Sequence, residues 1–201
     1  MPSNHRYVRF YLAALAALAP TLAFAHVGIG STHGFVQGFI HPIGGIDHIL
    51  AMVAVGIFAA NLGGRALLAV PLAFMGFMLV GAVLGIFGVP LPLVEVGIAL
   101  SIVVLGIAVA MKCSWPVVAA MAMVGLFAIF HGHAHGTEMP LDASGASYAL
   151  GFVTATGLLH LLGIGAGFAI GKTGRVYTRR ITQACGAALA VAGIGVLVGI
   201  V

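Results

Sequence analysis

The chain has 201 residues, of which 62% are hydrophobic and 6% are charged, and its mean hydropathy is +1.20. A water-soluble domain carries roughly 25% charged residues, so the composition excludes a soluble enzyme and makes lipid the solvent. The formal net charge of +4 does not indicate nucleic-acid binding, because the basic residues form no continuous face and no aromatic residues alternate with them.

The first 25 residues have the pattern of a secretory signal peptide. A basic segment ending at Arg9 is followed by an apolar run over residues 10–18 and a small-x-small cleavage site at Ala23-Phe24-Ala25. Cleavage makes His26 the new N-terminus, with an α-amine and an imidazole that can both bind a metal. An uncleaved anchor helix is the alternative, although the apolar run is shorter than the roughly 20 residues that a span needs.

Residues 26–201 are predicted to form a single all-α membrane domain of about six transmembrane helices. Short connections separate six apolar stretches, at residues 35–60, 66–88, 93–111, 115–130, 146–171 and 181–201. Each is near the length that crosses about 30 Å of hydrocarbon. Helices are expected because backbone polar groups in lipid must be hydrogen-bonded internally.

The charged residues predict how these spans are oriented. Arg65 follows the first stretch, Lys112 the third, and Lys172 and three arginines the fifth, so all six basic residues fall on one side. Glu138 and Asp142 fall on the other side. Because cytoplasmic loops carry the excess of Lys and Arg, we expect a multi-pass protein of the bacterial inner membrane with both mature termini in the periplasm.

Glycines spaced by four residues predict close packing between helices, because small side chains let backbones approach in lipid. They occur at Gly81 and Gly85, and in series at Gly163, Gly167 and Gly171. A segment ending in Gly171-Lys172-Thr173 is similar to a phosphate-binding loop. That motif needs a preceding strand and a soluble α/β domain, whereas here it ends an apolar span. Nucleotide binding is therefore not expected.

The first histidine cluster runs from His41 to His48 and includes Asp47. An ionisable residue within a span normally faces a polar cavity or a partner, so Asp47 needs a ligand or a cation. On a straight helix His41 and His48 lie two turns, about 10 Å, apart, but Pro42 and Gly44-Gly45 can bend or break the chain between them. Broken helices beside polar residues are typical of transporter sites. A helix start with a merely hydrogen-bonded Asp47 is the alternative.

The second cluster contains His131, His133, His135 and Glu138 at the external end of the fourth stretch. An extended chain would put the three imidazoles on one side, whereas a helix would pair His131 with His135. Both arrangements suit a divalent transition metal, whose charge Glu138 would offset. A solvated polar loop is the alternative.

Two ionisable residues stand apart from the clusters. His160 lies inside the fifth stretch, where solvation is poor, and is either a structural hydrogen-bonding residue or part of an ion pathway. Glu95, near the start of the third stretch, is either a gate or a helix-terminal charge.

The His-x5-Asp-His run, the Phe-His-Gly-His-Ala-His-Gly-x-Glu run and a leader that ends just before a histidine together resemble the HupE/UreJ family. The resemblance spans the whole chain, and members are regarded as nickel permeases associated with hydrogenase or urease maturation. The first motif is also similar to the His-x4-Asp-His of another nickel and cobalt permease family. The resemblance implies a set of metal-site residues: His26, His41, Asp47, His48, His131, His133, His135 and Glu138.

The function that the resemblance implies is secondary transport of Ni²⁺, with Co²⁺ as the alternative, from periplasm to cytoplasm for metalloenzyme maturation. A site of imidazoles and carboxylates disfavours Cu(I). The expected partners are the transported ion and the lipid bilayer, without nucleic acid, nucleotide or prosthetic group, and a homo-oligomer is left open. No enzymatic activity is expected. A membrane metalloenzyme and a metal-binding accessory protein that does not transport are the rival interpretations.

Overall fold

A computed structural model of the chain describes residues 34–112, 114–139 and 145–200. The predicted signal peptide, residues 1–25, and His26 lie outside the described residues. The described residues form seven helices and no strand. These are α1 (Gly34–Gly44), α2 (Ile46–Leu62), α3 (Ala66–Ile86), α4 (Val94–Met111), α5 (Val117–Thr137), α6 (Gly145–Gly171) and α7 (Arg175–Leu197).

The first predicted span is broken at Gly45. There α1 and α2 meet at 83°, and Gly45 has extended backbone angles, φ −99° and ψ 122°. Pro42, inside α1 near its end, has no backbone N–H and cannot make the helical hydrogen bond to the carbonyl of Gly38, which weakens the last turn of α1. The five other helices, of 18 to 27 residues, are each long and apolar enough to cross a membrane. The structure confirms an all-α bundle of about six spans and the predicted break in the first.

Two helices extend beyond their predicted apolar stretches. Helix α5 continues past residue 130 to Thr137, so the second histidine cluster is helical, and α7 begins at Arg175 rather than at residue 181. Histidine and arginine are both tolerated in a helix interior. In these two helices, hydropathy therefore marked the apolar part and not the polar end.

Helices α3 and α5 pack backbone to backbone because glycine removes the intervening side chains. A Cβ added at Gly132 would overlap the carbonyl oxygen of Met78. One added at Gly81 would overlap the carbonyl oxygen of Ile129. Such close approach is the packing that small residues permit in lipid, and it confirms the prediction made for Gly81.

Helix α2 packs against α6 in the same way, through Gly56 and Gly163, whose added Cβ atoms would meet the carbonyl oxygens of His160 and Val53. Residue numbers rise together along both helices, so α2 and α6 are parallel. Helices α4 and α7 meet through Gly106 and Gly186 with opposite directions. Gly171 has open space around it, so the predicted glycine series acts only in its earlier part.

The histidines and the basic residues lie at opposite ends of these helices. His48, at the start of α2, contacts His135, near the end of α5, with ring centroids 4.3 Å apart. Phe58, near the end of α2, contacts Trp115, just before α5, at 6.1 Å. Arg65 follows the second of these ends. The helices thus have a histidine end and a basic end.

Large apolar side chains cover much of the outward surface. Leu68 is 72% exposed and Val191 is 69% exposed, while Phe58 and Phe74 are buried between the helices. Water does not tolerate so extensive an exposed apolar surface, whereas lipid does.

Candidate metal pathway

Three parts of the chain meet at the histidine end. Helix α1 contributes His41, the first turn of α2 contributes His48, and the last turns of α5 contribute His131 and His135, with Glu138 immediately after α5. The break at Gly45 allows this meeting, because it turns α1 across the end of the bundle. Members of both sequence clusters therefore meet at one place.

The outer part of the site consists of His41, His135 and Glu138. His41 Nε2 lies 3.1 Å and His135 Nδ1 lies 3.7 Å from Glu138 Oε2. One ligand atom from each residue falls within 4.8 Å of the other two, a spacing that fits a single metal ion. The Glu138 side chain is 57% exposed, so this group is open to solvent.

The imidazoles of His135, 3.7 Å away, and of His41, which hydrogen-bonds to Glu138 at 3.1 Å, hold the pKa of Glu138 well below its usual range. A carboxylate that accepts hydrogen bonds is stabilised in its charged form. Glu138 is therefore an anion at any physiological pH and attracts cations to the outer group.

A chain of imidazoles leads inward from the outer group. His135 Nε2 lies 2.9 Å from His48 Nδ1, which lies 3.2 Å from His131 Nδ1. His131 Nε2 lies 2.9 Å from the hydroxyl oxygen of Ser101, and that hydroxyl donates to the carbonyl oxygen of Ile98 at 2.6 Å. This imidazole chain ends in the buried core, at α4.

One arrangement of protons satisfies this chain. Because the Ser101 hydroxyl donates to Ile98, His131 Nε2–H donates to Ser101, and His131 Nδ1 is left as an acceptor. His48 Nδ1–H then donates to His131 and is shared with His135 Nε2. It follows that His48 Nε2, buried and without a partner among the described residues, carries a bare lone pair. That lone pair is a ready metal ligand.

Two predicted residues lie apart from the imidazole chain. His133 projects from a different face of α5 and donates from Nε2 to the carbonyl oxygen of Val89 at 2.8 Å. Asp47 is half-buried in the first turn of α2, where the positive end of the helix dipole favours a carboxylate. The structure does not place either residue in the imidazole chain.

His160 lies deeper than the rest. Its side chain is 1% exposed, its ring meets Phe74 edge to face with centroids 5.4 Å apart, and neither ring nitrogen has a hydrogen-bond partner among the described residues. Among the described residues, His160 is therefore not the hydrogen-bonded core histidine that the structural interpretation expects.

Sequence reasoning missed Ser101 and Phe74. Ser101 is a lone hydroxyl in the apolar helix α4, and that isolation was the available signal. Phe74 gave no such signal, because one phenylalanine in an apolar span is indistinguishable from its neighbours. Glu95 lies exposed in the first turn of α4.

The chain has relatives among known proteins. The sequence model of the family described as HupE / UreJ protein matches residues 13–196. The chain is similar to a protein named "Protein HupE" from Rhizobium leguminosarum bv. viciae, at 49% identity over 187 residues, which cover 92% of this chain and 95% of that protein. No solved structure gives a significant match.

Proposed function

The chain belongs to the HupE/UreJ family, and on that premise we propose that it is a permease that moves Ni²⁺ into the cytoplasm for metalloenzyme maturation. The observation that carries the proposal is the imidazole chain, which connects the exposed carboxylate of Glu138 with the buried hydroxyl of Ser101. Imidazole suits Ni²⁺, and Co²⁺, close to it in ligand preference, is the second substrate of the proposal.

The chemistry of the ligands favours passage over storage. Closed structural metal sites surround the ion with four protein ligands, whereas the outer group offers three, one of them largely exposed. Conduction requires binding that is strong enough to enter and weak enough to leave. We therefore propose transport of the ion rather than its storage.

Ligand exchange between neighbouring nitrogens gives the proposed route. His135, one ligand of the outer group, has its other ring nitrogen, Nε2, 2.9 Å from Nδ1 of the next imidazole, His48. Metal–nitrogen bonds of about 2.1 Å place adjacent ligand atoms roughly 3 Å apart, so neighbouring rings at this spacing are close enough to exchange the ion. Because Nδ1 of His48 carries the proton shared with His131 and His135, the bare Nε2 is the nitrogen on which His48 would hold the ion.

The proposed direction follows from the two ends of the bundle. With the basic end in the cytoplasm of a bacterial inner membrane, the histidine end and both mature termini face the periplasm. A divalent ion moving inward then gains about 4.6 kcal/mol per 100 mV of inside-negative potential, twice the single-charge value. Facilitated diffusion needs no further energy source.

The test is uptake of radioactive nickel by metal-starved cells that express the wild type or His48→Ala at matched membrane levels, with cobalt and zinc as competitors. We expect uptake in the wild type, its loss in the variant, and stronger competition by cobalt than by zinc. Wild-type uptake no higher than that of empty cells, with the protein present in the membrane, would contradict the proposal.

Asp47→Asn is expected to lower nickel uptake by about tenfold while membrane levels stay near those of the wild type. The amide keeps the shape and one oxygen but removes a negative charge that acts on His135, and groups that support a metal site typically contribute 10- to 100-fold to affinity. Uptake normalised to immunoblotted protein checks this. If the variant is instead missing from the membrane, Asp47 stabilises the fold and does not act on the ion.

Nickel uptake is expected to weaken as the external pH falls below about 6, because an imidazole must be neutral to bind a metal. The low pKa of Glu138 keeps that carboxylate ionised over this range, so protonation of Glu138 would not account for the loss. Initial rates at constant free nickel, measured from about pH 7 down to about pH 5, test the prediction. A steady rise over that interval would favour proton-driven coupling instead.

A further inference from the structure

We infer that His160 and Thr156 form a second, inner binding position for the transported divalent cation, separated from the outer imidazole chain by the ring of Phe74. The inference rests on the proposed function and deepens it. It concerns residues of α6 that lie outside both histidine motifs.

Unpartnered polar atoms in the apolar core are the first observation. Both ring nitrogens of His160 and the hydroxyl oxygen of Thr156 lack hydrogen-bond partners among the described residues, and the two residues are 1% and 0% exposed. A buried polar group without a partner costs about 1–3 kcal/mol. The threonine hydroxyl does not bond back to its own helix, as that of Thr154 does to the Leu150 carbonyl at 2.7 Å.

The placement of these atoms is the second observation. Phe152, Thr156 and His160 follow each other at four-residue spacing and therefore lie along one face of α6. Phe152 contacts His48 of the outer chain, with ring centroids 5.4 Å apart. His160 lies eight residues, about 12 Å at 1.5 Å per residue, further toward the basic end. The same helix face thus connects the outer chain with a deeper pair of ligand atoms.

Phe74 lies between the two positions. Its buried ring contacts His131, the last imidazole of the outer chain, at 5.6 Å and His160 at 5.4 Å. Rotation of this ring is the movement that would let an ion pass from one imidazole to the other. Multiple sites of moderate affinity are a known means of moving ions without trapping them.

The test counts bound Ni²⁺ by equilibrium dialysis of the full chain in lipid nanodiscs and measures Ni²⁺ uptake of the same variants. We expect two ions per wild-type chain, one per chain in His160→Leu, and uptake at least about tenfold lower in that variant. A wild-type chain that transports with one bound ion, unchanged by His160→Leu, would overturn the inner position alone. A wild-type chain that binds two ions and transports neither would overturn the proposed function alone.

A matched pair of isosteric variants tests the proposal independently, in case His160→Leu misfolds. Thr156→Val removes one buried hydroxyl without changing the volume, and Thr182→Val does the same in α7, where Thr182 is equally buried. We expect Thr156→Val to weaken binding of the second ion by about tenfold, with no change in Thr182→Val. Equal affinity for both ions in the two variants would overturn the proposal.

Discussion

Replacing His135 by alanine is expected to reduce nickel uptake by about 100-fold, the upper end of the range for groups that support a metal site. His135 contacts both parts of the pathway, with Nδ1 3.7 Å from Glu138 and Nε2 2.9 Å from His48. Its ring also lies edge to face against His41, with centroids 4.7 Å apart. Removing the imidazole therefore opens a gap between the outer group and the buried imidazole chain.

His133→Ala is the matched control for this variant, because it changes the same residue type on the same turn of α5. His133 bonds to the Val89 carbonyl and contacts no member of the imidazole chain, so its loss is expected to cost about 1 kcal/mol of stability and less than half of the uptake. Both variants are compared by initial ⁶³Ni uptake at equal membrane abundance. Equal losses in the two would mean that the cluster acts through fold stability and not as a route.

The fold was predictable because few backbone structures can span lipid. Apolar stretches of the right length must be helices, and glycines spaced by four, as at Gly81 and Gly85, mark where helices approach. The break in the first span was also predictable, since Pro42 and Gly45 lie between two polar residues. These are local properties of short segments, and periodicity and hydropathy report local properties well.

The geometry of the site was only partly predictable, because it depends on which helix faces meet. His131 and His135 share a face of α5, and His133 falls between them on another face, but a sequence does not decide between an extended and a helical segment there. The contact between His41 and Glu138 joins residues 97 positions apart. The positions of Ser101 and Phe74 beside His131 likewise arise from the packing of α3, α4 and α5.

Gly132→Ala is expected to destabilise the protein by about 1–3 kcal/mol and to abolish most nickel uptake. The added Cβ would overlap the Met78 carbonyl oxygen and lie 2.9 Å from the backbone nitrogen of Ala82, and neither backbone atom can move aside alone. Helix α5 must then shift away from α3, and it carries the adjacent His131 out of reach of Ser101. Thermal unfolding in detergent, with nickel uptake measured in parallel, reports both effects.

Gly76→Ala separates this steric effect from the general effect of removing a glycine. Gly76 also lies within α3, but nothing comes within 4 Å of an added Cβ there. Since alanine favours a helix over glycine by roughly 0.5–1 kcal/mol, we expect this variant to be as stable as the wild type or slightly more so, with normal uptake. If Gly132→Ala unfolds no earlier than Gly76→Ala, the backbone contact between α3 and α5 does not limit the stability of the fold. The position of His131 would then depend on its own hydrogen bonds more than on the packing of the two helices.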